Sequence, residues 1–73
     1  MAKVVLRVRF IGGAHMDVTY EDPEADEDQI VERVTTTLAS DSGMLPTRHG
    51  DRLVVIYARG VAAFEAQPRG AVL

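Results

Sequence analysis

The sequence predicts a two-layer α+β domain: an antiparallel sheet of about four strands, ordered β-β-α-β-β along the chain, with one helix on one face. Apolar residues alternate with a period of two in two stretches of the first third of the chain, as in half-buried strands. In the middle they recur every three to four residues, as on one side of a helix. Because the intervening loops are short, we expect a single domain over residues 1–67 and a C-terminal tail over residues 68–73.

The first two strands are expected to form a hairpin. Apolar and polar residues alternate over residues 4–11, and after a Gly-Gly-Ala segment a second alternation begins. Opposed residues of a hairpin share a face of the sheet. This rule favours a three-residue loop that sets Val8 opposite Val18 and Arg9 opposite Asp17.

The helix follows an acidic segment. Asp26 lies three residues before Gln29, which is the spacing of a capping box, so the helix is expected to begin near Glu27. After about three turns Gly43 supplies a stop signal. The apolar stripe of the helix consists of Ile30, Val34 and Leu38.

The last third of the chain predicts a second hairpin. Leu53–Tyr57 is apolar almost throughout, as in a strand buried on both faces, and we expect it to be the central strand. Arg59-Gly60 is typical of a tight turn, and it leads to a strand at Val61–Ala66 that sets Val55 opposite Phe64. Two adjacent alanines make a helix an alternative for this last element.

A short strand is also expected between the helix and this hairpin. Met44–Arg48 is a candidate edge strand, since proline is tolerated at sheet edges, and the triplet at residues 49–51 is typical of a turn.

One face of this sheet is expected under the helix and the other without a cover. The predicted inner face consists of Leu6, Val8, Phe10, Met16, Val18, Tyr20, Leu53, Val55, Tyr57 and Phe64. The predicted outer face includes Val5, Arg7, Arg9, Ile11, Val54, Ile56 and Val61.

An uncovered apolar patch on a small domain is typical of a contact surface. We therefore expect a homo-oligomer that associates through this outer face or through a sheet edge, with Val72 and Leu73 of the tail as a further contact. A different protein could cover the patch instead. The simplest alternative is a monomer in which single aliphatic residues are exposed to solvent.

The composition narrows the class of protein. The net charge is −3 and 47% of the residues are hydrophobic, which is ordinary for a folded domain, and no apolar run is long enough for a membrane span. The absence of cysteine excludes disulfides and thiolate metal sites. We find no secretory signal and expect a cytoplasmic protein, or a virion component if the gene is from a phage. The excess of arginine over lysine is typical of GC-rich coding, as in a high-GC bacterium or its phage.

Catalysis is not expected. With no cysteine, only Ser40 and Ser42 as serines, and no nucleophile elbow, the chain lacks a nucleophile in a recognisable setting. A sheet with one helix offers no deep cleft for an acid–base pair, and no cofactor is expected. Eight of the eleven acidic residues lie between Asp17 and Glu32, which favours a solvated helix start over a recognition surface.

Two binding functions remain as alternatives to self-association. A nucleic-acid surface would use the arginine stripe of Arg7, Arg9, Arg48, Arg52 and Arg59. The pI of about 5.2 and the aromatics assigned to the core disfavour it. A metal site would use two His-x-Asp triplets, whose ligands are His15, Asp17, His49 and Asp51.

Overall fold

The computed structural model describes residues 2–67 and has the expected α+β architecture. This part of the chain contains five strands and one α-helix. The elements are β1 (Ala2–Phe10), β2 (His15–Asp22), α1 (Glu27–Ala39), β3 (Met44–His49), β4 (Arg52–Tyr57), a 3₁₀ turn (Ala58–Gly60) and β5 (Val61–Gln67). The prediction of an antiparallel sheet with one helix is confirmed, with five strands where about four were expected.

The spatial order of the strands is β4-β3-β2-β1-β5, and it corrects two predictions. The apolar strand β4 lies at an edge of the sheet, not at its centre. β5 pairs with β1, where Phe64 lies opposite Val8, and not with β4 as expected. An apolar run on both faces therefore marks here an edge strand with one uncovered face.

The β1–β2 hairpin has a register two residues away from the predicted one. Arg7, not Arg9, lies opposite Asp17, and Val8 lies opposite Met16. The amide of Phe10 donates to the carbonyl of Ala14 at 2.8 Å, which closes the hairpin around residues 11–13, and Gly12 and Gly13 both have positive φ. The face assignment survives, since a shift of two residues keeps each side chain on its side.

The β3–β4 hairpin confirms the strand and turn expected after the helix. The φ of Gly50 is 63° and the φ of Asp51 is not positive, which is the pattern of a type II′ turn. β3 is an interior strand and not the edge strand that Pro46 suggested. Proline is tolerated here because it lacks an amide where β3 faces β2, and these two strands pair at Thr19–Arg48 alone within residues 2–67.

The sheet is strongly coiled. β4 and β5 lie at opposite edges, yet only the three residues Ala58–Gly60 join them, and such a connection spans at most about 15 Å. The amide of Ala58 donates to the carbonyl of Gly43 at 3.0 Å, and the amide of Ile11 donates to the carbonyl of Gly60 at 3.0 Å. The 3₁₀ turn also contacts α1. Two diagonal corners of the sheet therefore meet beside the helix.

The helix begins as predicted. The Asp26 carboxylate accepts from the amide of Gln29 at 2.8 Å, and the Gln29 side chain accepts from the amide of Asp26 at 2.9 Å, which completes the capping box. Ile30 and Val34 are fully buried and Leu38 packs beside them. The helix has no lysine or arginine in its last turn, and its strand-forming residues are stabilised by docking on the sheet.

The core lies between α1 and one face of the sheet, and it reverses the predicted orientation of β4. Ile56 is 2% exposed and packs in the core with Leu45, its partner on β3. Val54 and Val61 pack against the same core. The assignment of Val54, Ile56 and Val61 to the outer face is therefore wrong. Opposed residues share a face, so the burial of Leu45 fixes that of Ile56.

Candidate interaction surface

The predicted interface residues separate into three groups in the structure. Val5, Arg7 and Arg9 lie on the outer face as expected, and Ile11 lies in the β1–β2 loop, 70% exposed. Val54, Ile56 and Val61 lie on the core side instead. Val72 and Leu73 lie outside the described residues.

Four of the six exposed large apolar side chains within residues 2–67 lie on the outer side of the β3–β4 hairpin. Its large side chains are between 40% and 64% exposed, although they lie within a regular hairpin. We call this surface the β3–β4 patch; it consists of Met44, Pro46, Leu53, Val55 and Tyr57. The prediction that the last three face the core is wrong. The signal that could have placed them is the hairpin turn at residues 50–51, which pairs β4 with β3.

The free edge of β4 adjoins this patch. The two-residue loop makes His49 and Arg52 a hydrogen-bonded pair, and such pairs alternate along an antiparallel ladder. The bond from the amide of Ala58 to Gly43 follows the same alternation. The backbone groups of the residues with odd numbers, namely Leu53, Val55 and Tyr57, therefore point away from β3, and no strand within residues 2–67 pairs with them.

An ion pair occupies the centre of the outer face. The Arg7 guanidinium donates to the Asp17 carboxylate at 2.9 Å and 3.4 Å. This hydrogen bond lowers the pKa of Asp17 and raises the pKa of Arg7. On its other side Arg7 lies opposite Glu65 of β5. The arginine stripe is therefore partly neutralised by the strands on both sides of β1.

Cationic side chains also border the β3–β4 patch. The Arg59 guanidinium lies 5.6 Å from the ring centroid of Tyr57, a distance at which a cation–π contact is favourable. Arg48 and Leu53 are opposed on the outer face. Tyr57 is thus an exposed aromatic, which corrects the prediction that all aromatics lie in the core.

The four proposed metal ligands do not form a metal site. His15, Asp17 and His49 line one shallow depression, but the Asp17 carboxylate is bound by Arg7. His49 uses its Nδ1 to donate to the backbone carbonyl of Asp17 at 2.7 Å. Within residues 2–67 no three His, Asp or Glu side chains are grouped as metal ligands, and Asp51 is in the turn.

Several residues of the acidic segment have structural roles. Asp22 accepts from the amide of Glu24 at 2.9 Å and from the Arg33 side chain, which ties the end of β2 to α1. Both hydrogen bonds lower the pKa of Asp22, and the one from the amide of Glu24 has the larger effect. Asp26 is the helix cap described above. This part of the acidic segment stabilises the fold.

The surface of residues 2–67 offers shallow, open depressions, and α1, at 13 residues, is too short to cross a membrane. Comparisons with protein-family models, with curated proteins and with solved structures find no match.

Proposed function

We propose that this protein is a small non-enzymatic protein–protein interaction module that self-associates through the β3–β4 patch and the free edge of β4. The observation that carries this proposal is the exposure of Met44, Leu53, Val55 and Tyr57 on one face of a single hairpin. Scattered apolar residues on a surface are ordinary, but a contiguous patch is typical of a contact site. An unpaired edge strand beside it adds hydrogen-bonding groups that a partner can use.

The size of the chain supports the same proposal. The described part of the chain, residues 2–67, has one helix and a modest core, and it gains stability when a second copy buries part of its exposed apolar surface. Such a module would serve as an adaptor or structural component of a bacterial or phage assembly, in the cytoplasm or in a virion.

Nucleic-acid binding receives less support from the same surface. Tyr57 is an exposed ring on which a base could stack, but Arg59 already lies over it. Arg7 is paired with Asp17 in the middle of the stripe. Binding through phosphates would also weaken steeply with salt, whereas association through an apolar patch would not.

The mass of the protein in solution tests the proposal. Light scattering after size-exclusion chromatography, at high micromolar concentration, should give the mass of an oligomer. Leu53→Lys places a charge in the patch and should give the mass of a monomer with an unchanged circular dichroism spectrum.

Ile11→Lys is the matched control, because it adds the same charge at an aliphatic side chain that is 70% exposed and lies outside the patch. It should keep the oligomer. A wild-type monomer at high concentration, or equal dissociation by both substitutions, would contradict the proposal.

A further inference from the structure

β4 and β5 are the two edges of the sheet, and they differ in what they offer to a second copy. β5 carries Glu65 and small alanine side chains at its exposed positions, so self-pairing there would bury little apolar area. The free edge of β4 carries three large apolar side chains and their outward-pointing backbone groups. β4 is therefore the edge suited to a second copy of this chain.

We propose that two copies of this chain pair antiparallel along β4 about a two-fold axis at Val55, which joins their sheets into one continuous sheet. This inference rests on the proposed self-association and specifies its geometry. The contact is isologous, which means that both copies use the same surface: if one residue of the first copy meets a second residue of its partner, the reverse contact also forms. Val55 then lies opposite Val55 of the second copy.

The register follows from the faces of β4. Side chains that are opposed across the new pair must lie on the same face of the joined sheet. The two-fold axis must therefore place a residue opposite its own copy, and not opposite the copy of its neighbour in sequence. With the axis at Val55, Leu53 lies opposite Tyr57 of the second copy on the outer face. The same register lets Leu53, Val55 and Tyr57 use their outward backbone groups, which gives about six inter-copy hydrogen bonds.

Charge complementarity supports this axis over its neighbours. With the axis at Val55, Asp51, in the turn just before β4, comes close to the segment of the second copy that follows its β4 and carries Arg59, and this happens twice. Moving the axis to Val54 sets Asp51 opposite Tyr57. Moving it to Ile56 brings the 3₁₀ turn with Arg59 beside Leu53 of the second copy. Each neighbouring register therefore places a charge against an apolar side chain and leaves its counter-charge unpaired.

Single cysteines test the geometry cleanly, because the native chain has none. In the proposed register two Val55→Cys copies have their Cα atoms about 5.5 Å apart, which is within the range of a disulfide. Two Leu53→Cys copies are offset by four residues, or about 14 Å along the strands. The same offset applies to two Tyr57→Cys copies.

Mild oxidation should therefore link the Val55→Cys protein to itself and leave the Leu53→Cys and Tyr57→Cys proteins unlinked when each is alone. An equimolar mixture of the last two should yield the mixed dimer. Equal linking of all three variants, or linking of none in a protein that light scattering shows to be an oligomer, would overturn the edge pairing while leaving self-association intact. A monomeric wild-type protein would overturn both.

Charge reversal supplies a second test of the register. Asp51→Arg and Arg59→Asp should each weaken the dimer by about five- to tenfold, since each creates two like-charge contacts. The double variant should recover wild-type affinity, measured by sedimentation at low salt. Failure of the double variant to recover would refute the contact between these residues.

Discussion

Gly43 joins the end of α1 to β3, and its replacement by alanine gives the sharpest test of how the helix docks. A Cβ at this position would lie 2.0 Å from the carbonyl oxygen of Thr37 and 3.1 Å from that of Ser40. Both are backbone atoms of the helix end and cannot rotate away. The φ of Gly43 is not positive, so glycine is required here for close approach and not for a left-handed cap.

The cost follows from the displacement that the methyl group demands. Cβ atoms essentially never lie closer than 3.0 Å to another heavy atom of this kind, so the helix end and the start of β3 must separate until the 2.0 Å distance reaches at least 3.0 Å. This separation strains two backbone hydrogen bonds: the amide of Gly43 donates to the carbonyl of Ser40 at 2.9 Å, and the amide of Ala58 donates to the carbonyl of Gly43. We expect a loss of about 3 kcal/mol in the free energy of unfolding. For a domain of this size that loss lowers Tm by about 12–24 °C.

Thermal and urea unfolding, followed by circular dichroism at one low protein concentration, measure this loss. Gly60→Ala is the control, because a Cβ there has no neighbour within 4 Å and the φ is not positive. It should change the stability by less than about 0.5 kcal/mol. A loss of stability for Gly43→Ala no larger than that for Gly60→Ala would show that the helix end does not approach Gly43 this closely.

Two further predictions concern burial and pH. Ile56→Ala should cost about 2–5 kcal/mol in urea unfolding of the dilute protein, whereas Val55→Ala should cost below about 1 kcal/mol; equal losses would refute the orientation of β4. Because the pKa of Asp22 is below its ordinary value of 3.8, its hydrogen bonds stabilise the fold above that value, and this contribution is lost as the pH falls through the lower folded pKa. Asp22→Asn should therefore reduce stability at pH 7 and flatten the acid loss, and an unchanged pH profile would contradict this role.

The elements that the sequence predicts correctly are those whose signals are local. The capping box of Asp26 and Gln29 lies within one turn, so the start of α1 depends on neighbouring residues alone. The alternation of β1 is equally local, and it places Val5 and Arg7 on the outer face as expected. The Gly50 turn is likewise predicted from its residue types.

The errors lie where the decision depends on a distant partner. A shift of two residues in the first hairpin preserves the face of every side chain, so alternation alone cannot separate Arg7 from Arg9 as the partner of Asp17. β4 is apolar on both sides and has no alternation to give its orientation. That orientation comes from pairing with Leu45 on β3, and the position of β4 at an edge comes from the choice of β1 as the neighbour of β5.

The orientation of β4 is also what makes its edge suited to association. In an antiparallel ladder, side chains on one face belong to residues whose backbone groups point to the same neighbour. With Ile56 directed to the core, Leu53, Val55 and Tyr57 present both their side chains to the outer face and their amides and carbonyls to the open edge. Had Ile56 faced outward, the uncovered side chains would have belonged to residues already hydrogen-bonded to β3. The apolar contacts and the hydrogen bonds of the proposed dimer therefore come from the same three residues, so substitutions at these positions should affect both together.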